Sequence, residues 1–289
     1  LFTGWASVAE YRNHRTLPAY ANLRANAQLV FDGSPGRATE VLSGRYYTPV
    51  ATSSSHQIWS SAMIVSPLLR GMMGLSVDAL NSSVRFEPHA PANWTDFAIR
   101  NVAVGAASEA SPTTLTLSYH RSAGEIALEV TRHGGQRVQL EFLPSFSLRA
   151  HVLNAEIDGK PAHSETVESA NEVDQHIAID VPIITDRTSI RIRLKDDFGI
   201  VYPYVVPAIG VVSSNLRFIS EHWNGAHDRL ELQIAGRGGA KYAVPLTGDL
   251  TGVTATGGQL SQNLLQIEFP PGSSDVYTTK AVVLQFPGR

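Results

Sequence analysis

The hydrophobic pattern of this chain changes its period part of the way along the sequence. Up to about residue 95, apolar residues recur three and four positions apart, which is the spacing of one face of an α-helix. From Val84 onward, apolar and polar residues alternate in short runs, which is the spacing of half-buried β-strands. The two periods place side chains differently around the backbone. The sequence therefore predicts a helical part over residues 1–95 and a β-rich part after it.

Three helices are predicted in the first part. They are Phe2–Arg12, a second helix that starts at Thr16 and ends at the breaker run 31–36, and His56–Met73. Thr16 suits the N-cap of the second helix and Pro18 suits its first turn. Pro67 lies inside the third helix, and it is expected to disturb the hydrogen bonds there because proline has no backbone N–H.

The β-rich part is predicted to form two domains. The candidate strands of the first are 83–88, 97–104, 113–120, 125–132, 137–142, 148–157, 176–181 and 189–195, and those of the second are 216–223, 229–234, 241–245, 253–255, 264–269 and 280–286. Asp158-Gly159-Lys160 is a hairpin-turn sequence. So many short strands predict an antiparallel β-sandwich over residues 96–198. A break at 196–199 and a proline-bearing stretch at 202–210, which is predicted to be a linker or an extended crossing segment, then lead into a small β domain over residues 199–289.

Composition excludes several classes of function. The 289 residues carry a net charge of -3 and no cysteine, so neither a basic nucleic-acid footprint nor thiol or Cys-metal chemistry is expected. No apolar run is long enough to span a membrane. The histidines are scattered without ligand spacing, and no pattern requires a metal or a cofactor. Few lysines beside many Ser, Thr and Asn residues favour a periplasmic or secreted protein over a cytoplasmic one. The chain starts inside a predicted helix and without Met, which indicates a fragment.

The candidate site lies between the second and third predicted helices. Glu40 is a lone carboxylate in a loop rich in Gly, Ser and Pro, where a catalytic base would be held well. A surface glutamate or a helix cap is the alternative. Polar and aromatic side chains that suit sugar binding by hydrogen bonding and stacking are His56, Gln57, Trp59, Tyr46, Tyr47 and Trp5. Helical spacing would put His56 and Trp59 on one face. Ordinary packing roles for these aromatics remain open at this point.

Several segments together resemble one enzyme family. They are Glu40-Val41-Leu42-Ser43-Gly44, His56-Gln57-Ile58-Trp59-Ser60-Ser61-Ala62, Leu68-Leu69-Arg70-Gly71-Met72-Met73-Gly74-Leu75, Phe86-Glu87-Pro88-His89-Ala90-Pro91-Ala92-Asn93-Trp94 and Asp158-Gly159-Lys160-Pro161. They resemble bacterial glycogen-debranching-like proteins of the amylo-α-1,6-glucosidase and trehalase-type glycosidases. The resemblance covers roughly residues 1–200.

The resemblance implies an (α/α)6 barrel, of which this chain supplies the last helices, followed by the β domains. It implies that Glu40 is the general base of an inverting glycoside hydrolase acting on α-glucosidic or related oligosaccharides. It also implies that His56 and Trp59 belong to the segment that closes the sugar pocket. Such an enzyme needs twelve barrel helices and a general acid, and the sequence predicts only three helices and no general acid here. An upstream barrel segment or a companion chain is therefore expected as partner, and the chain alone is expected to be inactive.

Two other interpretations stay open. One is a non-catalytic carbohydrate-binding or structural β-sandwich module with a helical adaptor. The other is a subunit that completes a barrel supplied by another chain. Helices from an interrupted barrel would expose apolar faces, so five residues are expected to be covered by something outside this chain. These residues are Trp5, Leu17, Tyr20, Ile58 and Val65.

Overall fold

The computed structural model describes residues 2–32, 35–105, 113–273 and 276–288. The described residues form three α-helices, α1 (Phe2–Arg12), α2 (Thr16–Gln28) and α3 (Ile58–Ser66), followed by β-strands. The predicted order of helices before strands is confirmed. No (α/α)6 barrel is present in the described part of the chain, because three helices cannot close a ring built from six helical hairpins.

The helix boundaries correct the sequence predictions in detail. α1 has the predicted bounds. In α2, Arg15 occupies the N-cap position, so Thr16 is the first helical residue and not the cap. A 3-10 turn, Leu29–Phe31, follows α2; Gly33 and Ser34 of the predicted breaker run lie outside the described residues. α3 starts at Ile58, two residues later than predicted, because Gln57 is extended and forms its N-cap.

Pro67 changes the helix type, as its missing N–H predicts. The chain continues from α3 into a π-helical segment, Pro67–Met72, so the predicted single helix is divided at the proline. None of the helices in the described ranges combines the length and apolar character needed to cross a bilayer.

α1 and α3 approach each other closely at Gly4. A Cβ atom at this position would lie 2.4 Å from Met63 Cβ and 2.7 Å from the Met63 carbonyl oxygen. Glycine is therefore required because the two helix backbones leave no room for a methyl group.

We expect Gly4→Ala to destabilise the folded chain by about 1–3 kcal/mol, because the helices must separate to accept the methyl group. Gly44→Ala is the matched control, since no atom lies within 4 Å of a Cβ built there. Its effect on the free energy of unfolding should stay within about 0.5 kcal/mol. Urea unfolding of both variants measures the difference, and equal unfolding midpoints would contradict the close packing at Gly4.

The strands extend from residue 75 almost to the end of the chain. In chain order they are β1 (Leu75–Asp78), β2 (Ser83–Phe86), β3 (Asp96–Val104), β4 (Thr113–Arg121), β5 (Glu125–His133), β6 (Val138–Phe142), β7 (Ser145–Ser147), β8 (His151–Ile157), β9 (Lys160–Pro161), β10 (Glu165–Glu168), β11 (Asp174–Ile183), β12 (Arg187–Lys195), β13 (Phe198–Ile200), β14 (Arg217–Trp223), β15 (Arg229–Arg237), β16 (Lys241–Gly248), β17 (Thr254–Thr256), β18 (Gln259–Ser261), β19 (Leu264–Glu268) and β20 (Tyr277–Gln285).

These strands form four sheets. Two six-stranded sheets have the orders β1-β2-β6-β11-β10, with β7 also paired to β11, and β3-β4-β5-β12-β8-β9. Two four-stranded sheets have the orders β13-β16-β19-β18 and β14-β15-β20-β17. β2 and β6 run parallel, so the first sheet is mixed where a purely antiparallel arrangement was predicted. The predicted hairpin turn after β8 is confirmed, since Asp158 and Gly159 both have positive φ values.

Residue contacts divide the chain into two compact units. We call residues 73–199 and 247–249 the two-sheet unit, and residues 2–72, 200–246 and 250–288 the helical unit. The domain boundaries predicted at residues 95 and 198 stay predictions.

Aromatic rings form the centre of the two-sheet unit. Phe86 and Phe142 stack within the first sheet, with ring centroids 5.7 Å apart, and Phe97 and Tyr119 stack in the second sheet at 4.7 Å. The rings of Phe86 and Tyr119 meet edge to face at 6.4 Å and join the two sheets. Alternate residues of β4 are buried, as the period of two predicts.

A buried ion pair lies where the sequence predicted a domain break. The Asp197 carboxylate is buried and accepts a hydrogen bond of 2.7 Å from Arg121 Nη2, whose side chain is 14% exposed. The other oxygen of Asp197 accepts from the Ser147 backbone N–H at 3.2 Å. Both partners belong to the two-sheet unit. The run 196–199 is thus part of the packed interior, and β13 starts inside it.

The predicted linker is an anchored part of the helical unit. The Tyr202 side chain is buried, and its hydroxyl donates to the Leu216 carbonyl oxygen at 2.6 Å. Asn215 accepts from the Val205 N–H at 2.6 Å and donates to the Val205 carbonyl oxygen at 2.8 Å. The Tyr202 ring also meets Tyr20 of α2 edge to face, at 6.5 Å between centroids. The segment therefore packs on the helices and does not act as a flexible spacer.

Candidate functional site

The loop that carries Glu40 folds back on itself. The Gln57 N–H donates to the Ala38 carbonyl oxygen at 3.1 Å, and the Glu40 N–H donates to the Ser54 carbonyl oxygen at 2.9 Å. We call residues 38–42 and 49–57 the two arms of the loop. An isolated β-bridge between Leu42 and Pro49 joins them further along. This backbone pairing is why a segment without regular secondary structure can hold Glu40 in a defined position.

Polar side chains reinforce the pairing around Glu40. The Glu40 side chain is half-buried, and its Oε2 accepts from the Ser54 N–H at 3.4 Å. The hydroxyls of Thr39 and Ser53 lie 2.9 Å apart, and Ser53 Oγ accepts from the Val41 N–H at 2.9 Å. Ser53 and Ser54 thus bind the two sides of the loop together. The carboxylate has a fixed backbone and one long hydrogen bond, an arrangement that suits a proton acceptor.

The predicted sugar-binding residues near α3 lie in three different settings. His56 is exposed and precedes α3, so the helical spacing that was to place it on one face with Trp59 does not apply. Gln57 is half-buried and bonds to the arm that carries Glu40. Trp59 is in the first turn of α3 and is 46% exposed. The backbone pairing joins the segment that carries Glu40 to Gln57 through Ala38, two residues before Glu40.

The other predicted aromatic residues have different roles from one another. Tyr46 is 43% exposed, and the Arg45 guanidinium lies 5.3 Å from its ring centroid. The Tyr47 hydroxyl hydrogen-bonds to Asp32, and burial together with this bond raises the pKa of Tyr47. The Tyr47 N–H also donates to the Val211 carbonyl oxygen at 2.9 Å. Tyr47 therefore anchors the loop, while Tyr46 remains accessible to a ligand.

An apolar surface remains uncovered on α1 and α3. Trp5 is 54% exposed beside Phe2, at 5.7 Å between ring centroids. Ile58 is 76% exposed and Val65 is also exposed. These three predicted residues are thus open to solvent in this chain. For Leu17 and Tyr20 the expectation of an outside partner was wrong: Leu17 is buried within the chain, and Tyr20 is half-buried against Tyr202.

Sequence reasoning missed a groove in the helical unit. Its volume is about 580 Å³, and it is bounded by α1 and α2 on one side and by residues 202–219 on the other. The residues that line it include Glu10, Asn22, Tyr47, Tyr204, Asn215 and Arg217. The sequence carries only a weak signal for this groove, because its polar and aromatic residues come from four separate parts of the chain.

Glu10 is a half-buried carboxyl in this groove. Its Oε2 accepts from Asn22 Nδ2 at 2.8 Å. Burial raises the pKa of the Glu10 carboxyl above its usual value of 4.5, against the opposing effects of the Asn22 hydrogen bond and the Arg15 charge. Folding thus favours the protonated form of Glu10 over its ionised form.

Glu10→Gln is expected to stabilise the chain at pH 7 and not at pH 3.5. A raised folded-state pKa contributes stability that is complete below the unfolded pKa and is lost as the pH rises through the folded pKa. The glutamine variant has no such loss. Its gain in the free energy of unfolding at pH 7 should be below about 1 kcal/mol, because solvent screens this half-exposed group. Melting temperatures of both proteins at the two pH values test this, and an equal difference at both would contradict the assignment.

Comparison of the chain with protein-family models and with curated proteins finds no match.

Proposed function

We propose that this chain is the part of an (α/α)6-barrel glycoside hydrolase that supplies the general base, with Glu40 as that base and α1, α2 and α3 as the last barrel helices. The observation that carries the proposal is the paired loop. Backbone bonds of 2.9 and 3.1 Å pair Glu40 with Ser54 and Ala38 with Gln57, the residue before α3, and the Glu40 carboxylate accepts from the Ser54 N–H at 3.4 Å. A base held on a rigid loop next to polar and aromatic groups suits a sugar-cleaving site.

The proposed chemistry is hydrolysis with inversion of an α-glucosidic or related bond. Ionised Glu40 accepts a proton from the water that attacks the anomeric carbon, while a second carboxyl group protonates the departing oxygen. In inverting enzymes the two groups lie roughly 6.5–9.5 Å apart, which leaves room for that water. The general acid comes from an upstream barrel segment or a companion chain.

The remaining residues of the site bind the sugar. His56 and Gln57 hydrogen-bond to hydroxyl groups, and exposed Trp59 offers an indole face on which a pyranose ring stacks. Tyr46 and Trp5 offer two further exposed rings. Tyr47 has a positioning role, because its hydroxyl is bonded to Asp32.

The uncovered apolar surface supports the barrel part of the proposal. Trp5, Ile58 and Val65 are exposed on two helices that pack against each other. Apolar surface of this kind marks a place where further structure packs. In the proposed enzyme, the other helices of the barrel cover it.

The experiment is a kinetic comparison in a polypeptide that joins this chain to the remaining helices of the barrel. Hydrolysis of α-1,6- and α-1,4-linked glucosides is measured for the parent and for Glu40→Gln. Loss of turnover in the variant with an unchanged melting temperature supports the proposal. Equal turnover in the two proteins would remove Glu40 from the site and overturn it.

A further inference from the structure

One wall of the groove in the helical unit carries a carboxylate and an amide held together. Glu10 comes from α1 and Asn22 from α2, and the hydrogen bond of 2.8 Å between them fixes the orientation of both groups. Adjacent carboxylate and amide groups can accept from and donate to two neighbouring hydroxyls at once. This is the pattern that a vicinal diol of a sugar requires.

The opposite wall is rigid and partly aromatic. Asn215 clamps the backbone of Val205 through two hydrogen bonds, and this fixes the segment that carries Tyr204. The Tyr204 side chain is half-buried, and the Arg24 guanidinium lies 5.6 Å from its ring centroid. A fixed tyrosine ring opposite hydrogen-bonding groups is an arrangement suited to the apolar face of a pyranose.

The charges that line the groove favour a neutral ligand over an anion. Arg15 Nη2 donates to the Ile219 carbonyl oxygen at 2.8 Å, and the Arg217 guanidinium lies over the Tyr277 ring at 3.8 Å. Both cations are thus engaged with protein groups. Glu10 adds a carboxylate that would repel an anion.

We propose that this groove is a second binding site, which takes a neutral oligosaccharide and does not use the Glu40 carboxylate. Its volume of about 580 Å³ falls within the range of sites for small ligands. Leu42 and Tyr47 line the groove and belong to the loop that carries Glu40, so a bound glucan leads towards that loop. The choice of an α-glucan as ligand rests on the proposed function, whereas the preference for a neutral sugar rests on the groove itself.

The test is titration calorimetry of the 289-residue chain with maltoheptaose. Saturable binding is expected, and Glu10→Gln and Asn22→Ala should each weaken it about tenfold or more, because each removes or alters one half of the fixed pair. Glu231→Gln is the matched control: Glu231 pairs with Arg229 on β15, is not among the groove residues, and should leave binding unchanged. Melting temperatures confirm that the variants fold.

Two results would overturn this site. One is the absence of saturable binding to the parent chain. The other is binding that survives in Glu10→Gln and Asn22→Ala but is lost in Trp59→Ala, because the sugar would then occupy the loop near α3. Neither result depends on hydrolysis, so the groove and the role of Glu40 are tested separately.

Discussion

Glu40→Gln is expected to lower kcat by about 10²–10⁴-fold, the range that a positioned general base contributes. The measurement needs a polypeptide in which this chain is joined to the remaining helices of the barrel. Glutamine keeps the shape of the side chain and can still accept the long bond from the Ser54 N–H. It cannot take a proton from water at neutral pH. KM should change little, because the lost interaction belongs to the transition state and not to substrate binding.

Trp59→Ala provides the contrast within the same site. It removes a stacking surface and leaves the base in place, so KM should rise and kcat should fall much less. The 289-residue chain on its own should show no turnover, because in the proposed mechanism the second carboxyl group belongs to the upstream barrel segment or the companion chain. If Glu40→Gln lowers the melting temperature and leaves kcat near normal, Glu40 is a structural residue of the loop.

Asp197→Asn is expected to cost about 3 kcal/mol or more of folding free energy. The Arg121 side chain is only 14% exposed, and its charge would remain in the interior of the two-sheet unit without its counter-ion. Asparagine has almost the same volume and can still accept from the Ser147 N–H. The expected loss therefore reports the missing charge and not a cavity.

The matched control for Asp197→Asn is Glu141→Gln in the same unit. Glu141 pairs with Arg85 at 2.8 Å, but both side chains are more than one-third exposed. Exposed pairs of this kind contribute about 0–1 kcal/mol. Urea unfolding of the two variants should therefore separate them clearly. If the two variants had similar unfolding free energies, water would stabilise the charge of Arg121 as well as the Asp197 carboxylate does.

The strands with strict alternation could be predicted from the sequence. β4 and β12 match their predicted ranges to within two residues at each end, because one face of each strand is buried and the other is not. Shorter strands were missed. β7 is three residues long and wholly buried, so it shows no alternation, and β10 is exposed along its whole length. A pattern of period two appears only where the two faces differ.

The break predicted at 196–199 illustrates a different limit. Two acidic residues followed by Phe and Gly read locally as a turn. The buried position of Asp197 depends on Arg121, which lies 76 residues earlier in the sequence. Local propensity carries no information about a partner at that distance, so the ion pair could not have been predicted.

The candidate site was predictable in its residue types and not in its arrangement. The sequence indicated Glu40 and the aromatic residues around it from residue type, position and the resemblance to a family. It did not distinguish Tyr46, which is exposed, from Tyr47, whose hydroxyl bonds to Asp32 fifteen residues earlier. The Glu10–Asn22 pair is formed between two helices, and each residue by itself resembles an ordinary surface residue.

The discontinuous make-up of the helical unit has a consequence for synthesis on the ribosome. α2 is completed at Gln28, yet its partners Tyr202 and Ile219 are translated long afterwards. At about 5–20 residues per second, the nascent helices wait on the order of ten seconds or more before these partners emerge. During that interval Tyr20, half-buried beside Tyr202 in the finished unit, lacks this partner ring. Nascent chains of this protein should therefore depend on chaperones until the last third has been made.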